Sequence, residues 1–163
     1  MALELENYLE PTGFKIVINR EHYRQTEYFI TSVNHPEVAL PGVEVPFKSI
    51  ATHHPGDRLQ FGEVIFNMII DEDLKNYTEM YDILKETIQV NDLYRHNRKV
   101  TERPLDMDIK LLTLTSKNNL NKEITYKNSR LTSIGAIELE STRADIQYIT
   151  VPLSFEFDYF EIK

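Results

Sequence analysis

A chain of 163 residues suits one compact domain that buries a core of its own, and its 41% hydrophobic and 27% charged residues exclude disorder for the bulk of it. Lys plus Arg is 18 and Asp plus Glu is 26, a formal charge of −8, which serves solubility and lacks the basic stripe of a DNA-gripping protein. There is no cysteine, which excludes disulfides, Cys-based zinc sites and cysteine nucleophiles and fits a reducing cytoplasm.

Met1 to Pro11 (MALELENYLEP) holds three glutamates and no basic residue, so it reads as a short N-terminal arm and not as a secretory signal. Residues 12–163 read as a single domain, without repeats or a Pro/Gly/Ser linker. Phe14, Ile16 and Ile18 alternate with Lys15 and Asn19 in a first strand. Tyr28 to Val33 is rich in aromatic and β-branched residues and predicts a second. His54-Pro55-Gly56-Asp57 has Pro and then Gly at its centre, which suits a type II turn. Leu59 to Ile70 places Val64, Phe66, Met68 and Ile70 on one face and Ile65 and Ile69 on the other. Such a strand is buried on both sides or covered by a partner subunit. The apolar run Val64 to Ile70 is broken by Asn67 and is too short to span a bilayer, so no membrane partner is expected.

One helix is signalled by Leu74, Tyr77, Tyr81, Leu84 and Ile88, an apolar stripe at three- and four-residue steps. Asp71, Glu72 and Asp73 precede or open it, where they cap it and complement its dipole. Ser116 to Glu123 is polar between strand-like runs and reads as a hairpin tip. Gly135, inside the strand-like stretch Leu131 to Leu139, marks a bulge or a close backbone approach. The last strand sets Ile149, Val151, Leu153, Phe155, Phe157 and Tyr159 against Thr150, Pro152, Ser154, Glu156 and Asp158. That alternation means one packed face and one wet face. Pro152 cannot donate to a ladder, which predicts an edge strand or an amide position turned away from its neighbour. The fold class is mainly β: two packed antiparallel sheets forming a barrel or sandwich, with one flanking helix.

Little in the chain carries chemistry. Of the five histidines, His22, His35, His53, His54 and His96, only His53 and His54 are adjacent, and in an extended segment they face opposite ways. Asp71–Asp73 and Asp106 with Asp108 are carboxylate groups expected in any acidic protein. The phosphate-binding loop, GxSxG and HExxH are absent. No catalytic, metal or cofactor residue is assigned, and the chain does not read as an enzyme. Arg95, Arg98, Lys99 and Arg103, with Lys117, Lys122 and Lys127, fit a solvated loop or a subunit contact better than a DNA grip.

The segments Lys122 to Lys127, Gly135 to Leu139 and Ile146 to Glu161 resemble the C-terminal half of the tail tube proteins of contractile-tailed bacteriophages. Upstream, Gly13 to Arg20, Ala39 to Val45 (ALPGVEV) and Pro55 to Asp73 resemble the same family in the same order, so the resemblance covers most of the chain. The His53-His54-Pro55-Gly56 loop departs from the family pattern. The family is also related in fold to type VI secretion tube proteins.

The resemblance implies the tail tube fold and homohexameric rings that stack into the inner tube, which conducts DNA during ejection without binding it specifically. It implies further copies of the chain, the tail sheath and the baseplate as partners. It implies a place in the virion tail after assembly in the host cytoplasm, with no cofactor. By the same resemblance Thr52, His53, His54, Asp57 and Arg58 belong to a loop that contacts a neighbouring subunit or ring. Thr150, Ser154, Glu156 and Asp158 are candidates for an acidic, DNA-repelling lumen wall. A baseplate tube initiator, a tail terminator and a secretion-system tube are alternatives of the same fold. A monomeric β-sandwich binding module is the alternative of another class.

Overall fold

The computed structural model describes residues 9, 11–18, 29–48, 50–88, 107–142 and 148–163. Most of the predicted N-terminal arm therefore lies outside the described residues. In chain order the elements are β1 (Phe14–Val17), β2 (Ile30–Asn34), β3 (Val38–Ala39), β4 (Val43–Phe47), β5 (Ile50–His54), β6 (Gln60–Phe61), β7 (Val64–Ile69), α1 (Lys75–Ile88), β8 (Met107–Leu114), β9 (Leu120–Ile134), β10 (Thr150–Glu156) and β11 (Tyr159–Ile162). The chain is mainly β, and its strand pairs are antiparallel.

The long strand β9 belongs to two sheets. Its first part, up to Ser129, pairs with β8, and Ile124 to Lys127 also pair with β11. Its last part, Arg130 to Ile134, pairs with β10. One sheet therefore runs β1-β8-β9-β11 and the other β9-β10-β7-β2. Between the halves Asn128 adopts φ 54, the left-handed region that asparagine tolerates. The Asn128 backbone N–H donates to Asp108 Oδ1 at 3.3 Å and its Nδ2 donates to Asp158 Oδ2 at 2.7 Å, so two aspartates pin the bend. The outer strands β1 and β2 do not pair with each other, so among the described residues the two sheets are not closed into a barrel.

The core lies between the sheets. Val64, Phe66 and Met68 of β7, Val151, Leu153 and Phe155 of β10, and Met107, Ile109 and Leu111 of β8 are buried there. Phe66 and Phe155 meet edge to face at 5.4 Å. Each fully buried large side chain contributes about 1.5–3 kcal/mol relative to exposure.

Several expected elements differ in detail. The run Leu59 to Ile70 is two strands, parted at Gly62, whose N–H donates to the Glu37 carbonyl at 2.9 Å. The final alternation is also two strands. The chain breaks at Phe157–Asp158 because β10 and β11 follow β9 around its bend. The break shifts the period by one, so Phe157 and Phe160 pack inward while Tyr159 is exposed. Pro152 does not mark an edge, since β10 lies between β7 and β9. The missing donor falls opposite Gly135, which donates to the Pro152 carbonyl at 2.8 Å and can receive nothing back. Hence β9 stops at Ile134 and does not run on to Leu139. A Cβ on Gly135 would lie 2.5 Å from the Pro152 ring, which identifies the close approach.

The helix turns a different face inward from the one predicted. Asn76, Met80 and Ile83 are buried, whereas Leu74 and Tyr81 are exposed; Tyr77 and Leu84 of the predicted stripe are half-buried, Leu84 against the core, and the Ile88 side chain lies outside the described residues. Asn76 explains the rotation. Its Nδ2 donates to the Ile69 carbonyl at 2.7 Å, and its Oδ1 accepts from the backbone of Asp71 and Tyr77. A polar residue thus fastens the start of α1 to the end of β7. The acidic residues sit in the preceding turn, where the Asp71 carbonyl accepts from Leu74 and Asp73 pairs with Lys75. The Ser116–Glu123 hairpin is present, with its tip at Thr115–Asn119 and its later residues already in β9.

Candidate assembly surface

Residues 38–61 form a β-hairpin arm that leaves the two sheets. At its base Val38 and Ala39 pair with Phe61 and Gln60; further out β4 pairs with β5, from Val43↔His54 to Phe47↔Ile50. The strands meet at a tight turn in which Lys48 has φ 56. Between the two paired stretches the chain narrows: a Cβ on Gly56 would lie 2.0 Å from the Pro41 carbonyl oxygen. Gly56 does not have a positive φ, so the His54–Asp57 segment is not the expected type II turn. Glycine is required there by the approach of Pro41.

Cross-strand partners share a face, which sorts the arm's side chains. Val43, Val45, Ile50, Thr52 and His54 lie on one side, and Glu44, Pro46, Ala51 and His53 on the other. The first side is apolar and open, with Val43 58%, Val45 43% and Ile50 68% exposed. Val38, Leu40 and Leu59 add exposed aliphatic area near the base. Isolated apolar side chains on a surface are ordinary, but a contiguous strip on a thin projecting element marks an interaction site. The outer edges of β4 and β5 are also unpaired among the described residues, leaving backbone groups open to another strand.

The arm gathers the five predicted contact residues. Thr52, His53 and His54 stand in β5, with Thr52 Oγ1 donating to the Val45 carbonyl at 3.0 Å. Asp57 and Arg58 follow in the bend before β6, and all five are exposed. Two features escaped the polar-turn reading: this region is a strand pair, and its open side is aliphatic. The signal was present in Val43, Val45 and Ile50 around a short turn, with β-branched residues in alternation.

The four residues expected to face a lumen do not form one acidic stripe. Thr150, Ser154 and Glu156 share the outer face of β10, opposite the buried Val151, Leu153 and Phe155. Asp158 is held apart at the β9 bend by Asn128. Around Thr150 and Ser154 the face mixes hydroxyl and amide groups with aliphatic ones: Ser133 and Ile65 flank Ser154, Ile69 lies opposite Thr150, and Asn67 lies opposite both Pro152 and Ser32. Asn67 Nδ2 donates to Ser32 Oγ at 2.7 Å, and Thr31 Oγ1 to the Asn67 carbonyl at 3.1 Å. Glu156 sits across from Arg130, so this face is close to neutral.

Charges concentrate on the β8-β9-β11 sheet. Lys110 meets Glu123 at 2.8 Å, and Lys127 meets Asp108. The Lys110 hydrogen bond holds the Glu123 carboxyl below its ordinary range, and the Asp108 hydrogen bond raises Lys127. Both pairs are partly exposed and add little stability. Arg95, Arg98, Lys99, Arg103, His22 and His96 lie outside the described residues. Among the described residues no group of three His, Asp or Glu side chains is placed to hold a metal, and no helix is long and apolar enough to cross a membrane.

No protein-family model matches the chain. The tail tube terminator protein of Enterobacteria phage T4 is 21% identical over 168 aligned positions, covering 98% of this chain and 92% of that protein. A chain of the anti-feeding prophage cap, a tube-terminating cap, superposes with a TM-score of 0.70 at 12% identity, covering 100% of this chain and 95% of the other. A chain of the sheath/tube terminator assembly of an extracellular contractile injection system (PVC) gives a TM-score of 0.67 at 14% identity, over 98% and 99% of the two chains. The protein has the fold of contractile-tail tube and terminator proteins.

Proposed function

We propose that this protein is a structural, non-enzymatic component of a contractile tail, which assembles as a ring of identical copies and closes the end of the tail tube. The apolar arm is the observation that carries this reading. A side with Val43, Val45 and Ile50 exposed on a two-stranded element costs solvation in the monomer and is satisfied by a neighbouring copy. The match over nearly the whole chain to a T4 tail tube terminator, and the likeness to two terminator assemblies, favour the tube's end over its length.

In this reading Thr52, His53, His54, Asp57 and Arg58 meet the adjacent subunit or ring, and the open edges of β1, β2 and β11 pair across subunits. The rings are homohexameric, as in the tube family that the sequence resembles. The tube and the sheath are the further partners, in a virion tail assembled in the host cytoplasm. The near-neutral face around Thr150 and Ser154 lines the lumen, so that DNA passes without adhering. Asp158 has no part in that wall.

The test is gold labelling of the tagged chain in purified tails, with its copy number counted. Label at one tube end, in the amount of a single ring, is the expected result. Label along the whole tube would make the chain the tube subunit. Absence from tails would remove the reading. Val45→Asp with Ile50→Asp should abolish ring formation by light scattering and leave the unfolding midpoint unchanged.

A further inference from the structure

Beside the β2–β7 pairing that flanks it, the arm's root packs on the body through a cluster of rings. The chain leaves β2 through His35 and returns through Phe61. Phe61 lies 5.6 Å from Phe157 and 5.5 Å from Phe160, and His35 stands edge-on to Phe160 at 5.0 Å. Only one hydrogen bond between side chains joins the root to this cluster among the described residues: His35 Nδ1 to the Tyr126 hydroxyl, at 2.7 Å.

Tyr126 is completely buried, and burial pushes its phenol well above the ordinary range. It therefore stays protonated, and with the imidazole neutral and its hydrogen on Nε2 the hydroxyl donates to the Nδ1 lone pair. His35 is an exposed residue whose contact with Tyr126 is part-buried, so a proton can arrive from water. A proton on Nδ1 would set one donor against another. The hydroxyl would have to turn, and its own hydrogen would then lack an acceptor in a buried, ring-lined site.

We propose that the His35–Tyr126 contact is a pH-sensitive latch, which seats the arm's root on the body while the imidazole is neutral and releases it when the imidazole is protonated. The groups facing the ring are the Tyr126 hydroxyl from β9 and the Phe160 ring from β11. Glu161 alternates with Phe160 and lies on the opposite face of β11; Glu37 follows two residues along the chain. The His35 pKa is lowered from 6.5 by burial, with no charged neighbour among its causes. With the seated value depressed and the released value ordinary, the latch contributes fully above pH 6.5 and is lost as the pH falls through the seated value. The latch acts on the arm whatever the arm binds.

Amide hydrogen exchange of the full chain from pH 8 to pH 5, corrected for intrinsic rates, reads the arm directly. Residues 38–61 should lose protection severalfold on acidification while β7, β9 and β10 keep theirs. Tyr126→Phe, which retains the ring and removes the hydroxyl, should flatten that dependence, and so should His35→Gln. Arm protection that does not change with pH in the wild type overturns the latch. So does a Tyr126→Phe chain that keeps the wild-type pH profile. Ring formation is scored separately at pH 8, where the latch is closed, so loss of assembly there bears on the tube-end reading alone.

Discussion

Gly135 and Pro152 show how much one residue pair decides. Proline has no N–H, so the β9–β10 ladder ends where the two residues meet, and the proline ring covers the glycine. Gly135→Ala forces a methyl into the ring carbons at 2.5 Å and should cost about 1–3 kcal/mol in urea unfolding. At Gly62 a Cβ would meet its nearest atom at 3.5 Å, with no positive φ to relieve. Gly62→Ala should therefore be neutral or gain about 0.4–1 kcal/mol by restricting the unfolded chain. Equal losses at the two sites would mean that the ring contact is not what selects glycine. The sequence announced a constraint at Gly135, and it announced an irregularity at Pro152. It did not reveal that they are the same contact, because their separation along the chain hides their register.

The helix lies where its apolar spacing places it but is turned about its own axis. Its sequence carries two overlapping apolar stripes, one through Leu74, Tyr77, Tyr81, Leu84 and Ile88, the other through Met80 and Ile83, and Leu84 packs half-buried at the border of the two. Counting apolar residues favours the first; the structure buries the second, because Asn76 must reach the Ile69 carbonyl. Met80→Ala should destabilise the fold by about 2–5 kcal/mol, the usual cost of an emptied core site. Tyr81, 48% exposed and resting beside Lys85, should lose less than about 1 kcal/mol on replacement by alanine. Thermal melts of the two variants side by side give the answer. A larger loss at Tyr81 would mean that the helix sits rotated, with its first stripe inward.

For the whole molecule the distribution of charge matters more than its sum. The net −8 suggested an acidic wall, yet the face bearing Thr150 and Ser154 carries uncharged hydroxyl, amide and aliphatic side chains, and its Glu156 stands opposite Arg130. The ion pairs Lys110–Glu123 and Lys127–Asp108 lie on the other sheet. If the neutral face lines a channel, it gives a passing polyanion few fixed charges to hold it. Thr150→Lys with Ser154→Lys adds two cations to that face in every copy. Particles carrying the pair should assemble normally and eject DNA more slowly, most clearly at low salt, where screening is weakest. An unchanged ejection rate would place this face away from the DNA path.

The sequence by itself determined that the chain is mainly β with one helix, where most strands lie, and that the fold is of the tail tube type. The first two follow from local causes, namely alternation along Val151 to Phe155, the spacing around α1, and polar residues at the β8–β9 tip; the third comes from the resemblance of the chain's motifs to that family. What the tertiary structure alone decided is how those pieces meet. The bend of β9 at Asn128, held by Asp108 and Asp158, splits the last strand and takes Asp158 out of the supposed stripe. The arm of residues 38–61 and the seating of His35 on Tyr126 depend on pairings between distant segments. Periodicity reports which side of an element is apolar; it carries no information on what stands opposite, and an open face and a covered one read alike until the chain is folded.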